Sequence, residues 1–169
     1  MDKATWEAVQ EEFERRENFM NEHGLTKYVY GAEYNPFSSR VFCGKCGHSY
    51  TKHTWKKRGV EQWQCKNHRT NGKLTCKNEF VDSKNLEQAF VKAFNIDLTD
   101  KVNIQKWEQM KREGTALQRI RAEQMISIVA EGEIKAFVPE LAQLVTVSVT
   151  VHGARSFEFE FMDGSRITV

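Results

Sequence analysis

The chain has 169 residues, 40% of them hydrophobic and 28% charged, with a net charge of +2, which is enough for one domain or two small ones and ordinary for a soluble protein. No apolar run approaches the ~20 residues of a membrane span, and Met1-Asp2-Lys3 leads straight into an amphipathic pattern rather than a signal peptide. A cytoplasmic protein with no membrane partner is therefore expected. The charge is unevenly placed: residues 40–78 hold ten of the 25 Lys/Arg and only one of the 23 Asp/Glu, Glu61. A basic island on an otherwise acidic chain points to a polyanionic partner; the plainer alternative is a solvated loop kept soluble by its lysines.

Residues 1–24 form the first unit, an N-terminal helix over 2–22. Trp6, Val9, Phe13 and Met20 fall near one helical stripe, Asp2 or Thr5 can cap the start, and Gly24 follows the end. Residues 25–39 are a linker rich in Tyr, Asn and Ser, including Tyr28, Tyr30 and Tyr34, with Asn35-Pro36 as a turn signal. Tyr34 and Phe37 are expected to cover the edge of the next module.

Residues 40–82 carry the four cysteines, Cys43, Cys46, Cys65 and Cys76. Cys43-Gly44-Lys45-Cys46-Gly47 has the form of a zinc knuckle: a two-residue gap lets both sulfurs of one turn face a common point, and the glycines supply the backbone freedom. One structural zinc per chain on four thiolates accounts for every cysteine. Cys65-x-x-His68 mimics a second knuckle, so His68 is a rival to Cys76 for the fourth position. Two disulfides or a thioredoxin-like redox pair are the competing readings. Around the cysteines an all-β ribbon is expected. Ser49, Thr51, His53 and Trp55 alternate with Tyr50, Lys52 and Thr54 as one strand, Lys57-Arg58-Gly59 is the hairpin turn, and Val60 to Cys65 returns. Asn67 to Lys73 reads as a polar loop. So small a module buries too little apolar surface to stand alone, and metal would supply about 10 kcal/mol of its folding free energy.

Residues 83–169 form the last unit, helices followed by strands. Leu86, Ala89, Phe90, Ala93 and Phe94 make a core stripe on a helix over 83–95, with Ser83 as its cap. Two more helices follow in 100–131. The first carries Ile104, Trp107 and Met110; the second is capped by Thr115, carries Met125 and ends at Gly132. Arg119 and Arg121 on it are expected to be solvated. The tail then changes period: Val145, Val147, Val149 and Val151, then Phe157, Phe159 and Phe161, then Ile167 and Val169 alternate with polar residues, with turns at His152-Gly153 and Asp163-Gly164. The fold class is thus α+β: an N-terminal helix, a zinc β-ribbon, a helical segment and a C-terminal three-stranded antiparallel meander.

Asn35-Pro36-Phe37-Ser38, Val41-Phe42-Cys43-Gly44-Lys45-Cys46-Gly47, Trp63-Gln64-Cys65, Cys76 and the helix Leu86-Glu87-Gln88-Ala89-Phe90 together resemble the zinc β-ribbon of large serine recombinases, the phage integrases and transposon recombinases. Trp6-Glu7-Ala8-Val9-Gln10 resembles the end of that family's recombinase domain, and the phenylalanine-rich strands with Asp163-Gly164 resemble its tails. The resemblance implies a modular DNA-strand-exchange enzyme of a bacterium or phage, in which the recombinase domain and ribbon bind each half of an attachment site. The family's catalytic serine domain has no counterpart here, so no catalytic residue is assigned and no cleavage by this chain alone is expected. Duplex DNA and other recombinase subunits are the implied partners, and no small-molecule substrate is expected.

A two-stranded ribbon fits the major groove, so the hairpin over Lys52–Arg58 is the expected DNA-contacting arm. Lys52, Lys56, Lys57 and Arg58 would reach DNA from it, Arg58 being best suited to guanine O6 and N7. Lys66, Arg69, Lys73 and Lys77 would neutralise phosphates. His53 and Trp55 can pack on sugar or on a neighbouring strand, and His48 reads as a strand residue. The rival functions are a zinc-stapled subunit-assembly domain and an RNA-binding ribbon.

Overall fold

The N-terminal helix α1 spans Lys3–Glu22, and the Asp2 carboxylate caps it by accepting from the Thr5 backbone N–H at 2.9 Å. The computed structural model describes residues 2–28, 34–55, 59–71 and 75–169. The face of α1 that docks is not the apolar stripe. Trp6 and Phe13 are 52% and 61% exposed, whereas Ala8 and Phe19 are buried. The anchor is polar: Glu12 accepts from Arg15 and Arg16 on its own helix and from Arg121 at 2.7 Å. Burial pushes the Glu12 carboxyl up, but the hydrogen bonds from Arg15 and Arg16 outweigh it and hold the group at about 2. Arg121 is accordingly not a solvated residue; it also donates to the Met162 carbonyl at 3.1 Å. Arg119 is exposed.

After the linker come β1 (Val41–Cys43), β2 (Tyr50–Trp55), β3 (Val60–Cys65), the short helix α2 (Lys66–Asn71) and β4 (Val81–Asp82). Strands β2, β3 and β4 form a three-stranded antiparallel sheet in that order. The expected all-β ribbon is corrected in two ways. The polar run after Cys65 is helical rather than a loop, and β1 leaves the ribbon for the C-terminal sheet. Gly59, at φ +62°, supplies the left-handed residue expected of the hairpin turn. Tyr30, Lys56, Lys57, Arg58 and Lys73 lie outside the described residues.

The C-terminal body consists of α3 (Ser83–Thr99), α4 (Lys101–Glu113), α5 (Ala116–Glu131), α6 (Pro139–Val145), β5 (Thr146–Gly153), β6 (Ser156–Phe161) and β7 (Arg166–Thr168). Asp82 rather than Ser83 caps α3, accepting from the Lys84 N–H at 2.8 Å, and Ser83 is buried. Thr115 and Gln118 close a reciprocal capping box at the start of α5, and Gly132 ends it at φ +84°. The meander gains a fourth strand, giving the order β1-β5-β6-β7, with β1 parallel to β5 and the other pairs antiparallel. An irregularity between Thr146 and Ser148 breaks the valine alternation, so Val149 and Val151 are buried while Val147 is only half-buried. The first tail turn falls at Ala154-Arg155, one step beyond His152-Gly153.

The core lies between α3 and the inner face of this sheet. Leu86, Phe90, Ala93 and Phe94 are fully buried, and Phe90 meets Phe159 and Phe161 at centroid distances of 6.1 and 6.2 Å, edge to face. Phe37 does more than cover an edge: it is buried against Phe90 and Phe137, fastening the linker into this core. Phe42 on β1 is covered from the other side by Phe19 and His23 of the α1 end. Arg40, just before β1, is buried and donates to the carbonyls of Gln143 and Thr146 at 2.6 and 2.7 Å.

Candidate metal centre and basic surface

Cys43 ends β1, Cys46 follows in the turn, Cys65 ends β3, and Cys76 lies on the segment leading to β4. Their four sulfurs lie within 4.8 Å of one another. Cys43 Sγ is 3.6 Å from Cys76 Sγ, and Cys46 Sγ is 3.5 Å from Cys65 Sγ. A tetrahedral ion with metal–sulfur bonds of about 2.3 Å requires sulfur–sulfur edges of about 3.8 Å, so the spacing suits one ion. The sulfurs are too far apart for disulfides, whose bond is about 2.05 Å, and all four cysteines are free. Among the described residues it is Cys76 and not His68 that completes the group. His68 is not in the group; its Nδ1 lies 3.2 Å from the Asn78 carbonyl.

The protonation balance also favours a cation. Burial raises the Cys43 thiol, but the Asn78 amide and the backbone N–H groups of Lys45 and Cys46 bring it down to about 7. Cys65 is pushed up to about 12 by burial first and by its sulfur neighbours second, and burial also raises Cys76. Four sulfurs this close, on three buried cysteines and the half-buried Cys46, cannot all ionise freely against one another. A divalent ion among them removes that conflict, since the thiolate is the ligand form.

The knuckle depends on close backbone approaches. Gly47 sits at φ +73°. A Cβ on Gly44 would stand 3.0 Å from the Val151 carbonyl oxygen and 2.7 Å from His152 Nδ1. The Gly44 N–H donates to that same Val151 carbonyl at 2.9 Å. Asn78, which sequence reasoning missed, joins the two sheets at this point. It is buried, donates to Cys43 Sγ at 3.2 Å and to the Val151 carbonyl at 2.8 Å, and accepts from the Glu79 N–H. Its nearness to Cys76 in sequence was the one available signal. An amide donor on a ligating sulfur is the kind of outer contact that orients a metal site.

Of the basic residues singled out from the sequence, Lys66, Arg69 and Lys77 are exposed. Lys52 is paired with Glu61 at 2.6 Å. Arg69 reaches back from α2 to β2, donating through Nη1 to His53 Nε2 at 3.0 Å. Burial, and then the Arg69 charge, hold the His53 imidazole below its ordinary value, so it is neutral near pH 7. Trp55 is 58% exposed, while His48 is exposed with Nδ1 at 3.0 Å from the Cys46 carbonyl.

Residues 36–95 match the family model described as the recombinase zinc beta ribbon domain. That stretch contains all four cysteines, both strands of the hairpin and most of α3, and it is similar to a recombinase zinc ribbon. No curated protein and no solved structure matches the chain. Among the described residues, no helix is long and apolar enough to cross a membrane.

Proposed function

We propose that this chain is the duplex DNA-binding, C-terminal region of a large serine recombinase, recognising attachment-site DNA through a ribbon stapled by one structural zinc ion. The observation that carries the reading is the coincidence of three things in one segment. Four sulfurs are drawn within 4.8 Å of one another, ten basic residues face a single acid, and the recombinase ribbon match covers both. On this reading Cys43, Cys46, Cys65 and Cys76 hold the zinc, whose contribution is to fix the two knuckles so that the hairpin stays rigid. Lys66, Arg69 and Lys77 neutralise phosphates together with Lys73, while Lys56, Lys57 and Arg58 contact DNA from the hairpin arm. Lys52 acts through the local field, being engaged with Glu61. Residues 1–24 close a preceding recombinase domain, 25–39 link it to the ribbon at 40–82, and 83–169 complete the region.

One observation favours a second role beside the first. Trp6, Val9 and Phe13 form an exposed apolar stripe on α1, at 52%, 37% and 61% exposure, which suits contact with another recombinase subunit. Fluorescence anisotropy on labelled duplex DNA over a salt series separates the two roles. The DNA reading predicts affinity that falls steeply and log-linearly with salt, by roughly 0.9 in slope for each phosphate neutralised. A flat salt dependence contradicts it and leaves subunit assembly as the function.

A further inference from the structure

Resting on the duplex-DNA reading above, we propose that the outward face of the β2–β3 hairpin is the surface that reads base sequence. Gln62, Gln64 and Thr51 are its readers, and Arg69 is a guanidinium anchor that His53 positions.

The two faces of the hairpin are chemically unlike. Residues directly opposed in an antiparallel pair share a face. One face holds the pairs Tyr50↔Cys65, Lys52↔Trp63 and Thr54↔Glu61, and the other Thr51↔Gln64, His53↔Gln62 and Trp55↔Val60. The first face is turned inward: Tyr50, Trp63 and Cys65 are buried there, and Lys52 and Glu61 form their ion pair there. The second face has no buried residue. It carries two amides, a hydroxyl and an imidazole, with the exposed Trp55 at one end.

Those groups suit a duplex groove. Glutamine bonds the N6 and N7 edge of adenine through two hydrogen bonds, and threonine can serve any base. Gln62 and Gln64 stand two residues apart on one strand, about 6.6 Å, close to two base-pair steps of about 3.4 Å. Charge agrees with this placement except at one point. Glu61, the single acid of residues 40–78, lies on the opposite face and is paired with Lys52. Asp82 is opposed to Gln62 across β3–β4, and its carboxylate accepts from the Lys84 N–H. Asp82 shares the outward face with Gln62 by that register and keeps its charge, so it is the carboxylate a phosphate would meet beside Gln62, while Glu61 is turned away.

Arg69 is held there by geometry. A guanidinium has donors and no acceptor, so its 3.0 Å contact with His53 Nε2 requires that nitrogen to accept and places the imidazole proton on Nδ1. The Thr51 hydroxyl lies 3.1 Å from the same nitrogen. The Arg69–His53 contact thus spans from α2 to β2 and ties down a side chain that is otherwise exposed, while the Thr51 hydroxyl either shares the single Nε2 lone pair or donates to the Gln64 carbonyl at 3.5 Å. Fixing a long cation before it meets a phosphate or a guanine removes part of the ordering cost of binding.

The test is selection of a random-sequence duplex library by the zinc-loaded 169-residue chain, with salt titrations on the enriched sites and zinc content checked for every variant. The wild type is expected to enrich a motif. Gln62→Ala and Gln64→Ala should each relax one position of it, the two positions about two steps apart, by roughly tenfold in discrimination with the salt slope unchanged. Arg69→Ala should weaken binding to every duplex and reduce the slope by about 0.9. His53→Phe should weaken binding to every duplex, though less than Arg69→Ala and with the salt slope nearly unchanged because Arg69 keeps its charge. His53→Gln, which keeps an acceptor, should retain wild-type behaviour. A motif untouched by both glutamine variants overturns the reading face, and His53→Phe indistinguishable from wild type overturns the positioning role. Duplex binding with no motif overturns base reading while leaving the DNA-binding function standing. Absence of duplex binding, or preference for RNA, overturns both.

Discussion

The ribbon and the C-terminal body are stabilised by different physics. The body is packed in the usual way: Phe90, Phe94, Phe159, Phe161 and Trp107 are all fully buried between helices and a four-stranded sheet. Beyond β1 the ribbon has four buried non-cysteine residues among those described, Tyr50, Trp63, Asn78 and Val81, and one of the two faces of its hairpin has no buried residue. Four sulfurs gathered at one point replace the missing core. Such an arrangement leaves strand residues free to be polar, which an ordinary two-stranded hairpin cannot sustain. The two regions are joined by β1, whose last residue is a cysteine of the site, and by Asn78, which bonds both Cys43 Sγ and the Val151 carbonyl.

The largest expected effect breaks the ribbon alone. Cys65→Ser, or chelation of the wild type, should remove metal-linked folding free energy on the order of 10 kcal/mol. The hairpin amides should lose hydrogen-exchange protection while those of α3 and β6 keep theirs; equal loss in both regions would mean that they are one cooperative unit. The reverse experiment follows. Phe90→Ala should cost about 3–5 kcal/mol, as expected for a large buried aromatic, lowering the thermal midpoint of the body without reducing bound metal. A variant that loses zinc in proportion to stability would contradict the separation.

The smallest effect concerns a polar flaw in the body. Asp97 is fully buried, accepts from Asn103 Nδ2 at 2.7 Å, and has no hydrogen-bond partner for its second carboxylate oxygen among the described residues. Burial first, and the neighbouring Asp163 second, push it from 3.8 up to about 7. A carboxyl raised on folding binds its proton more tightly in the native state, so stability falls as pH rises from about 4 through 7 and then levels. Asp97→Asn should flatten that slope and stabilise the chain by about 1–3 kcal/mol near pH 8. Parallel pH profiles for wild type and variant, measured by denaturant unfolding, would rule this out.

How much was legible in the sequence follows the same division. The cysteine site was readable because ligand spacing is a local signal: the Cys43/Cys46 turn announces itself, and Cys76 was the only thiol left over. Helices α3 and α4 were readable because their apolar residues recur at helical spacing, Leu86 to Phe94 and Ile104 to Met110, and α5 chiefly because Thr115 and Gly132 mark its ends. What failed was non-local. The docked face of α1 could not be read because its anchor is Glu12 with Arg121, 109 positions apart, and no periodicity reports such a pair. β1 has three residues buried on both sides, so it shows no alternation, and its parallel pairing with β5 cannot be read from Val41, Phe42 and Cys43 themselves. The six residues of α2 are wholly polar and lack the period that marks a helix. Arg69 was read as a phosphate neutraliser, but its hold on His53 depends on that helix and was invisible without it.

The central claim is that a metal ion holds the hairpin in shape. Elemental analysis of the purified chain, combined with counting of reactive thiols before and after chelation, tests it most directly. The account predicts one zinc per chain and four thiols that are protected until the metal is removed. Four thiols that react freely in a folded, metal-free chain, with its hairpin unchanged by chelator, would contradict it.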